Sequence, residues 1–440
     1  MLHEQSEQIA TAVGFDQSRL GLSLMGASAD ELNIGPADRE ILRRLAGEVA
    51  DLAARPIEAE KRELWSQHND LRATRPVIFC DPENGWTEII PSRSLRCQHW
   101  IARSWEMTLR KEVFWGTQMG DDYLIESVFN IPHVYAELNW GLKEKRVGGE
   151  LGGTSAIRWE SPIKSIDDIE KLHFPKIQVD RQATQRLVDL AQSLLGDLLQ
   201  VRLKTFWWWS LGMTLDVAFL RGLDHMMYDF IENPELVHRL MAFLRDGNLA
   251  MLDQLEQQDL LSLNTDGYVG SGGLGYTREL PQPDFRGKVR TKDMWGFAES
   301  QETTSISPRM FAEFILPYQL PLLERFGLNC YGCCEPLDKR WEAVRRIPRL
   351  RRVSVSAWAD WARMAELLGD RYIFSMKPRP ADLAMPGFDE GQIRADLRQA
   401  LQVTRDCRVE VIMKDNHTIN NDPQRVTRWA QIAKEEAENL

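Results

Sequence analysis

The sequence is poor in cysteine, has no long hydrophobic run and carries no excess of basic residues. Six cysteines in 440 residues are too few for a disulfide scaffold. The first residues show no basic segment followed by an apolar run, and no stretch is long enough to span a bilayer. A net charge of −11 argues against nucleic acid and anionic membranes as partners. We therefore expect a soluble, cytoplasmic protein with reduced cysteines.

The chain divides into two parts with different patterns. Residues 1–75 are polar and carry helically spaced apolar residues such as Ile41, Leu45 and Val49, which predicts a helical N-terminal extension. Residues 76–440 begin with the strand-like run Val77-Ile78-Phe79-Cys80, and the many Trp, Gly and Pro residues within 81–200 predict long loops. The length suits a barrel with additions or two domains.

The second half alternates between helical and strand-like segments with short links. Predicted strands lie at Leu260–Leu263, Gly327–Tyr331, Arg352–Val355, Tyr372–Ser375 and Arg408–Met413, and a helix is predicted over Glu335–Ile347. This alternation predicts parallel strands joined by helical crossovers. Because the chain ends on a helix without an extra edge strand, we favour an α/β fold of the (β/α)8 TIM-type barrel class over an open doubly wound sheet.

Polar side chains follow four consecutive predicted strands. They include Cys330, Cys333, Cys334 and Glu335, then Ser354 and Ser356, then Ser375, Lys377 and Arg379, and finally Lys414, Asp415, Asn416 and His417. The segments that precede these strands are ordinary by comparison. Because α/β barrels collect their chemistry at the carboxyl ends of the strands, this pattern predicts an active site there.

Cys333, Cys334 and His417 are candidate zinc ligands, since zinc takes sulfur and imidazole ligands in a tetrahedral arrangement. Adjacent cysteines on a strand point in opposite directions, so the sequence does not decide which one binds. The alternative is that the cysteines are buried core residues and that His417 belongs to a turn. Glu299 is either a functional acid or a favourable charge before a helix start.

The run Phe206-Trp207-Trp208-Trp209 is unusually dense in large aromatic residues. It forms either a packed core edge or an aromatic wall for a planar ligand. The nearby loop at residues 270–275 is rich in glycine but lacks the spacing of a phosphate-binding motif. Candidate substrate-binding residues are Trp207, Trp208, Trp209, Tyr268 and Tyr331.

Three segments carry a family resemblance over roughly residues 200–440. They are Glu299–Glu302 with the helix start Ile306–Phe314 and Leu316-Pro317-Tyr318, the Cys330–Glu335 cluster, and Phe374-Ser375-Met376-Lys377-Pro378. Together they resemble the uroporphyrinogen decarboxylase superfamily, a group of barrels that includes zinc-dependent corrinoid methyltransferases. The cysteine cluster falls where methyltransferase members carry a His-x-Cys zinc pair.

The sequence departs from that family in its ligands. Tyr331 and Gly332 stand where a histidine would precede Cys333 or Cys334, and His417 stands where such members have a cysteine. The resemblance therefore implies a permuted set, with sulfur from one strand end and imidazole from another. The Arg-Gln-Ala-Gly-Arg stretch that cradles porphyrin carboxylates in the decarboxylases is missing, which argues against porphyrin decarboxylation.

The resemblance implies one of two methyl transfers. In the first, a methyl group passes from a methylcorrinoid to a zinc-bound thiol, which the metal keeps deprotonated. In the second, a methyl group passes from a methoxy or methylamine-type substrate to a corrinoid on a separate protein, with zinc polarising the leaving oxygen. We favour the second because the tryptophan run suits an organic substrate. Glu299 is then a third ligand candidate, and Asp415 or Lys377 orients the substrate.

Two other functions stay open. A metal-dependent decarboxylase or lyase of the same superfamily would act on a small acid, whose carboxylate Lys377 and Arg379 would bind. A binding protein would instead hold a hydrophobic ligand against Trp207, Trp208 and Trp209, with structural cysteines. The oligomeric state is also open, with a homodimer as one alternative.

Overall fold

A six-stranded parallel sheet organises the computed structural model, which describes residues 15–27, 30–148 and 157–440. The strands of the chain are β1 (Val77–Cys80), β2 (Val128–Ile131), β3 (Lys145–Gly148), β4 (Ile157–Glu160), β5 (Gln200–Leu203), β6 (Trp295–Ala298), β7 (Leu328–Tyr331), β8 (Leu350–Val355), β9 (Ile373–Met376) and β10 (Arg408–Met413). The order in the large sheet is β1-β10-β9-β8-β7-β6. The predicted α/β class is confirmed.

Helices connect the strands and cover the outer face of the sheet. The helices of eight or more residues, with one that joins contiguous α and π segments, are Phe15–Ser23, Pro36–Ala53, Pro56–Asn69, Trp100–Phe114, Arg181–Leu195, Thr214–Arg221, Leu223–Glu232, Pro234–Gln257, Pro308–Met310 with Phe311–Ile315 and Leu316–Leu323, Trp361–Leu368, Glu390–Val403 and Gln424–Glu438. Shorter ones are Trp86–Ile89, Trp341–Val344 and Ala381–Ala384. Several begin with proline in the first turn, where no backbone donor is lost.

The predicted strands of the second half are confirmed with one exception. Residues 260–263 pair with no strand in the described part of the chain, so the prediction of a strand there is wrong. Side chains bond the backbone of this segment instead: Trp207 Nε1 donates to Leu260 O at 3.0 Å. The predicted helix over 335–347 is reduced to Trp341–Val344, because Glu335 precedes Pro336 and that position disfavours helical backbone.

A second, smaller sheet stands beside the large one. β2 and β5 pair in parallel, and β3 and β4 form a separate antiparallel pair. Single backbone bonds join the segments before β2 and after β5 to the large sheet: Asp122 N donates to Ile78 O at 2.8 Å, and Leu211 N donates to Phe297 O at 3.0 Å. Within the described residues these bonds are not strand pairing, so closure into a (β/α)8 barrel stays a prediction.

The loop from residue 264 to 276 lies against the face of the sheet that carries Arg352 and Glu410. Gly273 N donates to Glu410 Oε1 at 3.0 Å, and Ser271 Oγ donates to Gly332 O at 2.9 Å. Glycine is required at Gly273 because a Cβ there would meet the Trp65 ring at 2.3 Å. The loop therefore covers the inner face both with the backbone of its glycines and with buried side chains such as Val269 and Leu274.

The N-terminal helices pack under this loop. Asn69 Nδ2, at the end of helix Pro56–Asn69, donates to Leu274 O at 2.8 Å and to Tyr276 O at 2.7 Å. The helices Phe15–Ser23 and Pro36–Ala53 also fall in the predicted extension over 1–75, whose residues 1–14 and 28–29 lie outside the described residues. Within the described ranges, no helix is both long and apolar enough to cross a bilayer.

Candidate functional site

Titratable side chains gather where β1, β7, β9 and β10 end. The ends of parallel strands meet at one edge of a sheet, and in α/β barrels this edge carries the chemistry. We call Cys333, Cys334, Lys377 and Lys414 the thiol–lysine cluster. Each of its members follows a strand of the large sheet within a few residues, as the sequence pattern predicts.

The two thiols of the cluster face each other at different depths. Cys333 is buried and Cys334 is exposed, and their Sγ atoms are 3.7 Å apart. Their shared hydrogen bond, together with burial, raises the pKa of Cys333 well above that of an ordinary thiol. The same bond lowers the pKa of Cys334. Cys334 is therefore the thiol that more readily forms a thiolate at the surface.

Lys414 is fixed by carboxylates that follow β1 and β10. Its Nζ lies 3.2 Å from Glu83 Oε1, while Glu83 Oε2 accepts a bond from Asp415 N at 3.0 Å. Burial alone would lower the pKa of Lys414, because it disfavours the charged amine. The negative charges of Glu83 and Asp415 outweigh this effect and raise the pKa. Glu83 and Asp415 both have left-handed backbone, with φ of 48° and 62°. Strained backbone of this kind is concentrated at functional sites.

Lys377 is in a different electrostatic state from Lys414. Its Nζ donates to Ser375 Oγ at 2.8 Å, and its side chain is buried. Burial lowers the pKa of Lys377 to about 8, with the positive charge of Lys414 acting in the same direction. An amine in this range both holds a proton at neutral pH and releases it readily.

The residues present do not assemble the predicted zinc site. Cys334 Sγ lies 4.0 Å from Asp415 Oδ2, whereas the exposed His417 has its Nδ1 3.4 Å from Nδ2 of Asn84. Across the described ranges, no three His, Cys, Asp or Glu side chains are grouped to hold one metal ion. Zinc ligation by Cys333, Cys334 and His417 stays a prediction, and we derive no chemical step from it.

A cavity of about 230 Å³ lies among the loops that follow β2, β5 and β6. We call it the tryptophan cavity, and its wall includes Trp140, Trp207, Trp208, Trp209, Asp216 and Glu299. The sequence-predicted aromatic run thus lines a cavity and also packs on the core. Trp207, the first tryptophan of the run, is buried against Tyr135, with ring centroids 4.8 Å apart.

Glu299 links the tryptophan cavity to the thiol–lysine cluster. It is buried at the end of β6, and its Oε1 accepts from Ser210 Oγ at 3.1 Å. Burial, reinforced by the charges of Glu302 and Glu335, raises the pKa of Glu299 well above that of an ordinary carboxyl. Glu335 Oε2 in turn accepts from Cys333 N at 2.9 Å. The two halves of the site are therefore neighbours.

The two predicted tyrosines lie in different places. Tyr268 OH donates to Asp81 Oδ2 at 2.9 Å, and Lys414 Nζ stands 5.8 Å from its ring centroid, so Tyr268 belongs to the same rim. Tyr331 is fully buried and its hydroxyl donates to Gln319 Oε1 at 2.9 Å. Tyr331 packs in the core beside Phe311, and its substrate-binding role is not supported by this placement.

Sequence reasoning missed three residues of the site, Glu83, Trp140 and Asp216. Glu83 stands in the turn after β1, whereas Trp140 and Asp216 lie beyond loops whose course no local pattern specifies. Trp140 Nε1 donates to Asp216 Oδ1 at 3.0 Å across 76 positions of sequence. The acidic turn Asp81-Pro82-Glu83 directly after β1 was the one available signal.

Comparisons with known proteins do not identify a family for this chain. No family model matches the sequence, and no curated protein matches it. Among solved structures, the chain is similar to a methyltransferase from Methanosarcina mazei with a TM-score of 0.44 and 10% identity, over 85% of this chain and 97% of that one. A similarity at this level carries no conclusion about the activity of the chain.

Proposed function

We propose that this protein is a methyltransferase that takes a methyl group from a small methoxy or methylamine-type compound and passes it to a corrinoid carried by a separate protein. The observation that carries the proposal is the bridge that Glu335 forms between the tryptophan cavity and the thiol–lysine cluster: its carboxylate accepts from Cys333 N at 2.9 Å and from Ser300 N at 2.8 Å, and Ser300 directly follows Glu299 of the tryptophan cavity. The cavity suits an organic donor, and the cluster suits proton transfer. The family resemblance of residues 200–440 points to the same chemistry.

The tryptophan cavity and the thiol–lysine cluster would have different roles in the reaction. The tryptophan cavity binds the organic part of the donor and excludes water from its methyl group. When a methoxy donor loses its methyl group, the C–O bond breaks and the oxygen needs a proton. Lys377 is the group suited to supply it, because its lowered pKa makes it a better acid than an exposed lysine. A charged methylamine-type donor leaves as a neutral amine and needs no proton.

Methyl transfer to cob(I)alamin tests this function. Purified protein is mixed with O-methyl or N-methyl donors, and loss of the cob(I)alamin absorption is followed in the visible spectrum. Lys377→Met should slow transfer from methoxy donors by about 100-fold or more. Lys288→Met, at an exposed position, is the matched control. Failure of transfer with both donor classes would refute the proposal.

A decarboxylase or lyase acting on a small acid is the second candidate. Lys377 favours it, because the described hydrogen bond of its ammonium goes to the Ser375 hydroxyl rather than to a carboxylate. A substrate carboxylate would then find a buried cation at the rim. Release of carbon dioxide from small acids, without consumption of cob(I)alamin, would identify this activity.

A further inference from the structure

The tryptophan cavity has the composition of a site for a cation. Four indole side chains and two carboxyl groups stand on its wall, those of Trp140, Trp207, Trp208, Trp209, Asp216 and Glu299. Within the described residues that line it there is no lysine, arginine or histidine. Indole faces attract cations, most strongly where water is excluded. An uncharged ligand could accept or donate hydrogen bonds there, but only a cation would balance the charge of the ionised carboxyl groups.

Among the residues that the structure describes, no cationic side chain pairs with the carboxyl groups of Asp216 and Glu299. Asp216 Oδ1 accepts from Trp140 Nε1, and Glu299 accepts from Ser210 Oγ and, at 2.8 Å, from Gln301 N. These donors are all uncharged. Burial raises the pKa of Asp216 to about 6, and it raises that of Glu299 as well. A bound cation would supply the missing charge and favour the ionised carboxylates.

The backbone around the cavity is strained at one position and packed unusually closely at another. Met213, on the cavity wall, has a left-handed φ of 65° just before helix Thr214–Arg221. Gly212 lies so close to Glu299 that a Cβ would meet the Glu299 carbonyl oxygen at 2.2 Å. Strain of this kind persists where a ligand clamp needs it. The volume is below the about 300–1,000 Å³ of drug-sized pockets, so the ligand group is small.

We propose that the tryptophan cavity binds a methylated ammonium group, quaternary or protonated, and that this group belongs to the methyl donor. The second part rests on the proposed function, whereas the first part does not. The indole faces pack against the N-methyl groups, and Asp216 with Glu299 balances the charge. An N-methyl donor is then preferred over an O-methyl donor.

Binding of tetramethylammonium tests the cation site without any turnover. Titration calorimetry compares it with neopentyl alcohol, a neutral molecule of similar shape, at constant chloride concentration. We expect tetramethylammonium to bind at least about tenfold more tightly. We also expect proton release at pH 6, because the cation lowers the pKa of the carboxyl groups. The released protons are read by repeating the titration in buffers of different ionisation enthalpy.

Two variants locate the site. Asp216→Asn and Trp208→Leu should each weaken tetramethylammonium binding by about tenfold, and Asp216→Asn should also reduce proton release. The matched controls are Asp224→Asn, an exposed acid on the next helix, and Trp358→Leu, whose side chain is 81% exposed. Circular dichroism confirms that each variant is folded.

The outcomes separate the two proposals. Equal affinity for tetramethylammonium and neopentyl alcohol, or equal loss in the control variants, overturns the cation site even if methoxy donors are turned over. Binding without methyl transfer from any N-methyl or O-methyl compound retains the cation site and refutes the methyltransferase.

Discussion

Replacement of Glu410 by glutamine should remove several kcal/mol of stability, because its carboxylate balances buried charge on the inner face of the sheet. Glu410 and Arg352 are both fully buried, with Arg352 Nε 3.0 Å from Glu410 Oε1. His68 Nε2 lies 3.4 Å from Glu410 Oε2. The same carboxylate accepts the Gly273 N–H, which anchors the loop over residues 264–276.

The size of this loss in stability follows from the burial of the Glu410–Arg352 ion pair. Removing one partner of a buried ion pair leaves the other charge uncompensated and costs about 3–5 kcal/mol, a large part of the about 5–15 kcal/mol of a typical domain. Burial alone would raise the pKa of Glu410, but Arg352 and His68 lower it overall. Its contribution is therefore present above the unfolded-state pKa of about 4.3 and is lost as the pH falls towards the lower folded-state value.

Urea unfolding at pH 7 measures the change in the free energy of unfolding. Glu366→Gln, at an exposed position, is the matched control and should stay within about 0.5 kcal/mol of the wild type. Arg352→Met should cost a similar amount to Glu410→Gln, and the double variant should cost clearly less than the two together. A loss below about 1 kcal/mol for Glu410→Gln, or strict additivity, would refute the reasoning.

Three further outcomes are expected. The rate with a methoxy donor should fall above pH 8, because the acid form of Lys377 is lost. Lys377→Arg should remove this fall, since arginine stays protonated. An unchanged pH profile in this variant would contradict the acid role of Lys377. Gly212→Ala should destabilise the protein by about 1–3 kcal/mol in urea unfolding, whereas Gly47→Ala, in an open helical position, should stabilise it by about 0.5–1 kcal/mol. Iodoacetamide at neutral pH should alkylate one thiol fastest, and Cys334→Ser should abolish that fast phase.

The strands that a sequence pattern identifies well are those buried on both faces. β7, β9 and β10 are buried strands of mostly apolar residues with one or two polar residues within each, and their predicted bounds agree with the structure to within about two residues. β2 and β5 were missed, because they are short and lie among long loops, and because β2 is only half buried and β5 has no fully buried residue. The apolar run at 260–263 misled the prediction, since such runs do not distinguish strands from packed coil.

The residues of the candidate site likewise divide into those that the sequence pattern could place and those that it could not. Residues directly after a strand, such as Lys377 and the two cysteines, could be placed by counting from the strand end. Asp216 could not, because its position depends on how a helix from one loop packs against Trp140 from another. The pairing of His417 with the cysteines is a relation between two loops, and no local pattern specifies it.

The loop over residues 264–276 occupies the inner face of the sheet beside the rim. Lys414 stands over the ring of Tyr268, and Ser271 of the same loop already donates to Gly332 O. Because the protein's own loop takes up this face, the choice of ligand falls to the loops that surround the rim. New preferences can thus be acquired by altering those loops while the strands beneath stay unchanged.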